Sequence, residues 1–363
     1  MSQETRPYKW LDQYIPFNLK VRLLNIIQPS SLLAQNLNLL QSRARESLQY
    51  LKATRIIKNG KASSLSVLPW YLVIGPKQSG KTSLLIHSDI NYVREAHGSR
   101  SAASGSTCEW WITPENVIID VPGSFTNVDD KKSSLNGEAW LYLLELIQKN
   151  QFNHNMSGII FSLSVSQLLD DDYRDMILDM LKSTGKDLQN VFGRTLPFYF
   201  VINKADTLPG FLDYFGDSSI EDLSQAWGIT MPTSIGSESV TSVFISRFNA
   251  LIHILNKNMI RRLHMERSLQ VKSAIKNFPL HVERIKDEFA HLLNSITSNN
   301  INLLLKGVYL TSSTQINKYE TTTAYEEMAG VSDGRKDLLV HDPDNIAKHP
   351  YFIKQFLLNG VRA

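Results

Sequence analysis

The chain has little of what marks a secreted or membrane-spanning protein. Its 363 residues include one cysteine, Cys108, so an internal disulfide is excluded and a reducing compartment is indicated. No stretch approaches the ~18 consecutive apolar residues that can cross a bilayer. The N-terminal sequence MSQETRPYKW also lacks the apolar region of a secretion signal. We therefore expect this chain to be soluble.

An excess of charge of one sign is also lacking. The 38 basic and 35 acidic side chains leave a net charge of +3, which gives no electrostatic reason to expect a nucleic-acid partner. The nine histidines show no metal-ligand spacing. Arg261, Arg262, Arg267 and Lys272 form either a basic patch or a solvated helix face, and we favour the second interpretation. A hydrophobic fraction of 42% is that of an ordinary globular protein.

The spacing of apolar residues changes several times along the chain. A helical spacing from Leu32 to about Leu51 precedes a Gly/Ser/Lys-rich stretch at 59–66, which predicts a linker. Short β-branched and aromatic runs then alternate with helical stretches, as in a parallel sheet covered by helices. From Thr241 to Ile296 only helical faces remain. We predict four units, at residues 1–66, 67–238, 239–300 and 301–363.

The last unit, 301–363, is expected to be mixed. It begins with a strand-like run, KGVYLTS. A polar stretch at about 317–349 predicts a mobile segment. The amphipathic piece YFIKQFLL predicts a terminal helix.

The most specific motif is Gly75-Pro-Lys-Gln-Ser-Gly80-Lys81-Thr82, a full match to G-x-x-x-x-G-K-[ST]. It follows the strand-like WYLVI and precedes the helix-like SLLIHS, which is the context of a P-loop. Glycines let backbone N–H groups turn toward phosphate oxygens, and the helix N-terminus adds partial positive charge. We expect Lys81 to reach the β- and γ-phosphates and the Thr82 hydroxyl to bind Mg²⁺.

A second motif begins at Asp120, where the apolar run Val-Ile-Ile ends in a carboxylate. In a P-loop protein, an acid at this place holds Mg²⁺. The sequence continues to Gly123 in the form D-x-x-G, whose glycine N–H can sense a γ-phosphate and move a switch segment. Ser124 stands where efficient GTPases have the glutamine that orients water, so we expect slow or partner-dependent hydrolysis.

A third motif, Asn203-Lys204-Ala205-Asp206, follows the strand-like PFYFVI. The pattern N-K-x-D is the guanine-specificity element of GTPases. Its Asp carboxylate can accept hydrogen bonds from the guanine N1–H and 2-amino group, which adenine lacks. Lys204 can lie along the base and Asn203 can tie its loop to the P-loop. We therefore favour GTP or GDP over ATP, which remains the alternative.

Two further elements are weaker. The polar stretch 96–107 lies where a switch loop is expected, and a flexible solvated loop is an equal alternative. Thr107 is the natural candidate to join Mg²⁺, with Ser104 and Ser106 as competitors. No clear fifth base-contacting element follows, and Thr233-Ser234 is a weak guess.

Together these motifs predict a P-loop GTPase-like α/β fold: a doubly wound, mostly parallel sheet with a helical N-terminal segment and a helical C-terminal subdomain. The predicted reaction groups are Lys81, Thr82 and Asp120. The predicted Mg²⁺ ligands are Thr82, Thr107 and Asp120. The predicted nucleotide contacts are Gly75, Ser79, Gly80, Lys81, Thr82, Ser83, Gly123, Asn203, Lys204 and Asp206.

The whole arrangement resembles the cytoplasmic region of the IcmF/TssM family of bacterial type IVB and type VI secretion systems. The segments that carry the resemblance run from about Leu68 to the C-terminus. They are LPWYLVIGPKQSGKTSLL, CEWWITPENVIIDVPGSFT, WLYLLELI, GIIFSLSVSQLL, INKADTLPGF, AWGITMP, LLLKGVYLTSSTQ and YFIKQFL. The Asn/Ser/Lys-rich character and the NKAD motif favour the type IVB branch slightly.

The resemblance implies a place and a partner. Family members carry transmembrane helices outside this region, so the chain would lie at the cytoplasmic face of the bacterial inner membrane, anchored through segments outside this chain. They work with a DotU/TssL-type inner-membrane protein to stabilise a trans-envelope complex. Nucleotide use varies within the family. An ATPase that energises assembly, and a docking module with a vestigial pocket, are the alternatives to a GTP-binding switch.

Overall fold

The computed structural model describes residues 32–58, 61–64, 68–93, 108–128, 134–150, 156–234, 238–313 and 350–362. The predicted polar stretch at 317–349, the chain before residue 32 and the switch-loop residue Thr107 lie outside these ranges. No helix among the described residues is long and apolar enough to span a membrane.

A seven-stranded sheet forms the centre of the fold. Its strands are β3 Trp70–Ile74, β4 Glu109–Ile112, β5 Val117–Asp120, β6 Met156–Ser164, β7 Pro197–Asn203, β8 Gly228–Thr230 and β9 Leu304–Leu310. In spatial order they run β4, β5, β3, β6, β7, β9 and β8. In this spatial order, each neighbouring pair in the run β5, β3, β6, β7, β9 is parallel. At the two edges, β4 pairs antiparallel with β5 and β8 pairs antiparallel with β9.

Helices cover both faces of the sheet, as predicted for a doubly wound fold. The helices are α1 Leu32–Ala53, α2 Lys81–Ile86, α3 Gly123–Thr126, α4 Ser134–Asn150, α5 Val165–Leu169, α6 Asp171–Phe192, α7 Phe211–Phe215, α8 Ile220–Ser224, α9 Val240–Met265, α10 Leu269–Ser298 and α11 Lys354–Leu358.

Alternating residues of each strand serve the two faces. In β3, Trp70 and Leu72 belong to the larger core, which includes residues of α1, α4, α6, α9 and α10. Tyr71 and Val73 belong to the smaller core on the opposite face, together with residues of α2 and α11. The all-apolar strand therefore needs cover on both sides, and the amphipathic helices supply it.

Two features differ from the sequence prediction. The stretch taken as a linker contributes an antiparallel hairpin, with β1 Arg55–Lys58 paired to β2 Lys61–Ser64. In the sequence, Asn59-Gly60 separates these two strands and is a dipeptide favoured in two-residue hairpin turns. The sequence at this point therefore favours a turn over a linker. In addition, β9, predicted as part of a separate C-terminal unit, is an interior strand between β7 and β8.

The C-terminal segment 350–362 is packed against the sheet. Asn116 Nδ2 donates to the Leu357 carbonyl at 2.6 Å, and the Tyr71 hydroxyl donates to the Val361 carbonyl at 2.8 Å. Tyr351 pairs with Ser312 in an isolated antiparallel bridge. The segment thus reaches from β3 to the carboxyl end of β9, next to the loops that follow the parallel strands.

Candidate phosphate-binding site

The loop Gly75–Gly80 leaves the carboxyl end of β3 and enters α2, as the P-loop motif predicts. Gly75 has a φ of +146°, and a Cβ there would lie 2.1 Å from the Ser162 carbonyl oxygen of β6. Gly80 has a φ of +86° immediately before the helix. Both positions require glycine, the first for space and the second for its left-handed backbone.

The backbone donors at the start of α2 are available to an anion. Within the described part of the chain, no backbone acceptor receives a hydrogen bond from the N–H groups of Gly80, Lys81 or Thr82. Unsatisfied N–H groups at a helix N-terminus attract phosphate through their partial positive charge. The local geometry is therefore that of an anion-binding turn.

Lys81 spans this turn. Its ammonium donates to the carbonyl oxygens of Gly75 at 2.9 Å and Pro76 at 2.7 Å, and the residue is 7% exposed. Burial lowers the pKa of Lys81 to about 8, and the nearby Asp120 carboxylate partly offsets this effect. A cation that is buried against carbonyl dipoles, with a weakly held proton, is stabilised further by any anion placed beside it.

Asp120 ends β5 beside Lys81 and Thr82. The Thr82 hydroxyl donates to Asp120 Oδ2 at 2.6 Å. Asp120 Oδ1 is buried and has no hydrogen-bond partner in the described part of the chain. Burial raises the pKa of the Asp120 carboxyl, while the Thr82 hydrogen bond and Lys81 act in the opposite direction. An unpartnered buried carboxylate oxygen next to a hydroxyl fits a divalent cation or its bound water.

The D-x-x-G glycine lies against the phosphate loop. A Cβ at Gly123 would lie 2.8 Å from the Lys77 backbone nitrogen. Only a residue without a side chain permits this approach, so the loop after β5 and the loop after β3 are in direct backbone contact.

A cavity of about 270 Å³ is bounded by these elements. Its walls are Lys77, Gln78, Gly80, Lys81, Thr82, Ser83, Asp120, Val121, Pro122 and Gly123. Six of the predicted site residues therefore surround one space, namely the nucleotide contacts Gly80, Lys81, Thr82, Ser83 and Gly123 and the predicted Mg²⁺ ligand Asp120. Gly75, Ser79, Asn203, Lys204 and Asp206 are not among its walls.

Asn203 connects the N-K-x-D segment to the P-loop, as the sequence predicts. Its side-chain amide donates to the Ser79 carbonyl at 3.1 Å and to the Ser162 hydroxyl at 2.8 Å. Its carbonyl oxygen accepts a hydrogen bond from the Thr311 hydroxyl. Because all four residues are buried, this network fixes the P-loop, β6, the end of β7 and the segment after β9 relative to one another.

Asp206 lies at the same edge of the sheet, beyond the walls of the cavity. It is 3% exposed, and its Oδ1 accepts a hydrogen bond from the Ser312 hydroxyl at 2.6 Å. Lys204, with a left-handed φ of +60°, precedes it and is half-buried. Thr233 and Ser234, the weak candidates for a fifth base-contacting element, are both exposed, and this expectation stays a prediction.

Four residues that sequence reasoning missed support the site. Ser162, Thr311 and Ser312 take part in the hydrogen bonds described above, and the Gln167 side chain donates to the Lys77 carbonyl at 2.9 Å. Position was the available signal for Thr311 and Ser312, which directly follow the apolar strand β9, whereas Ser162 lies within β6 and Gln167 within α5. Among the described residues, no group of three or more His, Cys, Asp or Glu side chains is arranged to hold a metal. Of the described residues, Thr82 and Asp120 are the ones placed to hold a cation in this cavity.

The mostly parallel sheet, with the P-loop after its interior strand β3 and an antiparallel edge strand at β4, defines a P-loop protein with a GTPase-like α/β fold. Residues 133–361 match the family model for the IcmF-related N-terminal domain. The chain belongs to this family, which confirms the resemblance.

Individual relatives extend the comparison. The type VI secretion system component TssM1 of Pseudomonas aeruginosa is 30% identical over 293 residues, which is 78% of this chain and 26% of that protein. The chain thus spans about a quarter of this relative. The slight preference for the type IVB branch stays a prediction.

Solved structures show a remote likeness. The signal recognition particle receptor SRb with GDP from Chaetomium thermophilum is 17% identical, with a TM-score of 0.27 over 72% of this chain and 98% of that one. An S. thermophilus NFeoB mutant bound to GDP is 14% identical, with a TM-score of 0.27 over 64% of this chain and 98% of that one. A likeness this remote bears on neither ligand nor activity.

Proposed function

We propose that this chain binds a Mg²⁺–nucleotide at the cavity beside Lys81 and uses it as a conformational switch, with GTP preferred over ATP. The observation that carries the proposal is the cavity itself. Free backbone N–H donors, the buried Lys81 ammonium and the unpartnered Asp120 carboxylate oxygen all border one cavity. These groups are suited to bind the phosphates of a nucleotide and its Mg²⁺ ion. Each of these groups is costly to bury alone and is satisfied by a phosphate or a hydrated cation.

The proposed roles follow from position. The N–H groups of Gly80 and Lys81 bind phosphate oxygens, and the Lys81 ammonium adds a charge-assisted contact. Thr82 and Asp120 hold the cation, which when bound would neutralise part of the phosphate charge. Gly123 transmits occupancy to the segment after β5 through its contact with the Lys77 backbone. Thr107 is retained as a proposed third protein ligand of the cation.

The preference for guanine rests on Asp206. The Ser312 hydroxyl holds this carboxylate beside the loop that Asn203 ties to the P-loop. A fixed carboxylate acceptor matches the two donors of guanine and faces an acceptor in adenine. Hydrolysis is proposed to be slow, because Ser124 cannot do what a water-orienting glutamine does.

We further propose that the nucleotide-binding region serves a secretion-system protein at the cytoplasmic face of the bacterial inner membrane. The support is membership of the IcmF-related family and the likeness to a TssM1 protein. Other components of the complex, among them a DotU/TssL-type protein, are the proposed partners. Membrane anchoring through segments outside this chain belongs to the same proposal.

One observation favours a second candidate, a docking module whose pocket no longer binds. Lys81 already donates to two loop carbonyls, and Asp206 is almost fully buried. A vestigial site of this kind needs no ligand to stay folded. The two candidates differ in a single measurable property, which is nucleotide affinity.

Titration of the chain with fluorescent GDP, GTP and ATP, with and without Mg²⁺, tests the proposal. We expect micromolar or tighter binding of the guanine nucleotides and loss of GTP affinity when Mg²⁺ is removed by EDTA. Equal binding of ATP would support the energising ATPase instead. No measurable affinity for any of the three would leave the docking module as the function.

The pH dependence of binding gives a second prediction. Without ligand, Lys81 loses its proton near pH 8 because burial outweighs the attraction of Asp120. A bound phosphate raises this pKa, so binding takes up a proton and affinity falls as the pH rises. We expect a decrease of about tenfold between about pH 7 and pH 9, measured by isothermal titration calorimetry in two buffers of different ionisation enthalpy.

The variant Lys81→Arg is the control for that profile. A guanidinium keeps its charge throughout this range, so the variant should bind more weakly but show a flat profile. The same decrease in both proteins would assign the titration to another group and contradict the role of Lys81.

A further inference from the structure

The helical hairpin formed by α9 and α10 extends beyond the core of the molecule. The last buried residue of α9 is Leu255, and the first buried residue of α10 is Ile275. All residues between them are described, and none is buried. At ~1.5 Å per helical residue, α9 continues for about 15 Å past Leu255. We call residues 256–276 the hairpin tip, which takes in the buried Ile275 and ends at the exposed Lys276.

The tip carries the most exposed large apolar side chains of the described chain. Met265 is 79% exposed and Leu269 is 81% exposed, and these two residues lie on either side of the connection between the helices. Ile260, one turn before Met265, is 57% exposed. Their exposure is not required for packing, because Met259, Leu263 and Val271 already supply the contacts between the tip and the core.

The tip is also strongly basic. It contains six Lys or Arg side chains and one acidic side chain, a net charge of +5, whereas the whole chain has +3. Arg262 is used internally, since it donates to the Ser218 hydroxyl at 3.0 Å and lies 4.8 Å from the Tyr214 ring centre. The other five, Lys257, Arg261, Arg267, Lys272 and Lys276, form no ion pair within the described residues.

We infer that the hairpin tip inserts Met265 and Leu269 into the interfacial layer of an anionic lipid membrane while its basic side chains contact the headgroups. Interfacial membrane segments have this arrangement of apolar side chains surrounded by cations, and their apolar face is buried ~5–10 Å into the boundary between headgroups and acyl chains. The charge is complementary to anionic lipids. A protein partner is disfavoured because the tip exposes only three large apolar side chains, whereas stable protein interfaces need about 800 Å² from each side.

The inference is independent of the nucleotide site. It extends the interpretation of Arg261, Arg262, Arg267 and Lys272, which the sequence favoured as a solvated helix face. The isolated cluster was ambiguous because helix spacing alone does not show which side chains meet other parts of the chain. The structure separates Arg262, which is tied to Ser218, from the remaining basic side chains.

Co-sedimentation with vesicles tests the proposal on the chain as it stands. With vesicles of phosphatidylcholine containing about 30% phosphatidylglycerol, we expect binding at least tenfold stronger than with phosphatidylcholine alone, weakened by salt. Arg261→Gln/Arg267→Gln/Lys272→Gln and Met265→Ser/Leu269→Ser should each reduce binding about tenfold. The matched controls, Lys149→Gln/Lys182→Gln/Lys186→Gln and Ile220→Ser, change exposed residues elsewhere and should bind like the parent.

Insertion itself is measured with an environment-sensitive fluorophore on Met265→Cys. The only cysteine of the chain, Cys108, is buried, so labelling is directed to the tip. A blue shift with anionic vesicles, absent with polyglutamate, is the expected result. Equal vesicle binding by the tip variants and the control variants overturns the proposal. A fluorescence response to polyglutamate but not to vesicles also overturns it, and would indicate that the tip binds an acidic protein.

Discussion

The variant Lys81→Met is expected to lose nucleotide binding by about a thousandfold, or ~4 kcal/mol, while remaining folded. The loss is large because Lys81 is the buried cation of the cavity, and a phosphate left without its charged partner in a desolvated site costs ~2–5 kcal/mol. Methionine keeps the length and the apolar stem of lysine, so packing is preserved. Fluorescence titration with labelled GTP measures the effect.

Stability provides the control for that experiment. At pH 7 the buried ammonium is protonated although burial lowers its pKa from 10.5 to about 8, which corresponds to a cost of about 3 kcal/mol. Methionine removes this cost but also removes the hydrogen bonds to the Gly75 and Pro76 carbonyls. These effects oppose each other, so the midpoint of urea unfolding should change little. Unchanged GTP affinity in Lys81→Met, with Lys182→Met as the exposed comparison, would show that Lys81 does not contact phosphate.

The phosphate loop could be predicted from sequence because its determinants are local. Gly75, Gly80 and Lys81 lie within seven consecutive positions, and an apolar strand before them and a helix after them are both visible in the pattern. Asp120 was also predictable, because a carboxylate that ends a buried strand must emerge at the carboxyl edge of the sheet. The structure places it within hydrogen-bond distance of Thr82.

The rest of the candidate site and the order of the strands could not be predicted, because they depend on contacts between distant parts of the chain. Ser312 lies 106 residues after Asp206, and nothing in the sequence around it shows that β9 is inserted between β7 and β8. The edge strand β8 has only three residues and, among the described strands, pairs only with β9, so its pattern is too short to be recognised. The positive charge of the hairpin tip could be counted in the sequence. Its exposure could not be predicted, because it depends on which helical residues pack on the core.

Replacing Asp206 by Asn is expected to abolish the preference for GTP over ATP. The carboxylate is proposed to accept two hydrogen bonds from guanine, each worth about 1.5–3 kcal/mol because the acceptor is charged. An Asn side chain offers one acceptor and presents donors where guanine also has donors. The ratio of GTP to ATP affinity should therefore fall by at least about a hundredfold, measured by competition against one labelled nucleotide.

Xanthosine triphosphate makes this prediction sharper, because xanthine has a carbonyl oxygen where guanine has its 2-amino group. The side-chain amide that Asp206→Asn introduces can donate to that oxygen, so the variant should gain affinity for xanthosine triphosphate as it loses affinity for GTP. A variant that merely unfolds cannot gain a ligand. Asp222→Asn, which changes an exposed carboxylate at the start of α8, is the matched control and should keep the parent's order of affinities. If ATP binds the parent as tightly as GTP and Asp206→Asn changes neither affinity, then the buried carboxylate serves only to hold Ser312, and the base is recognised elsewhere or not at all.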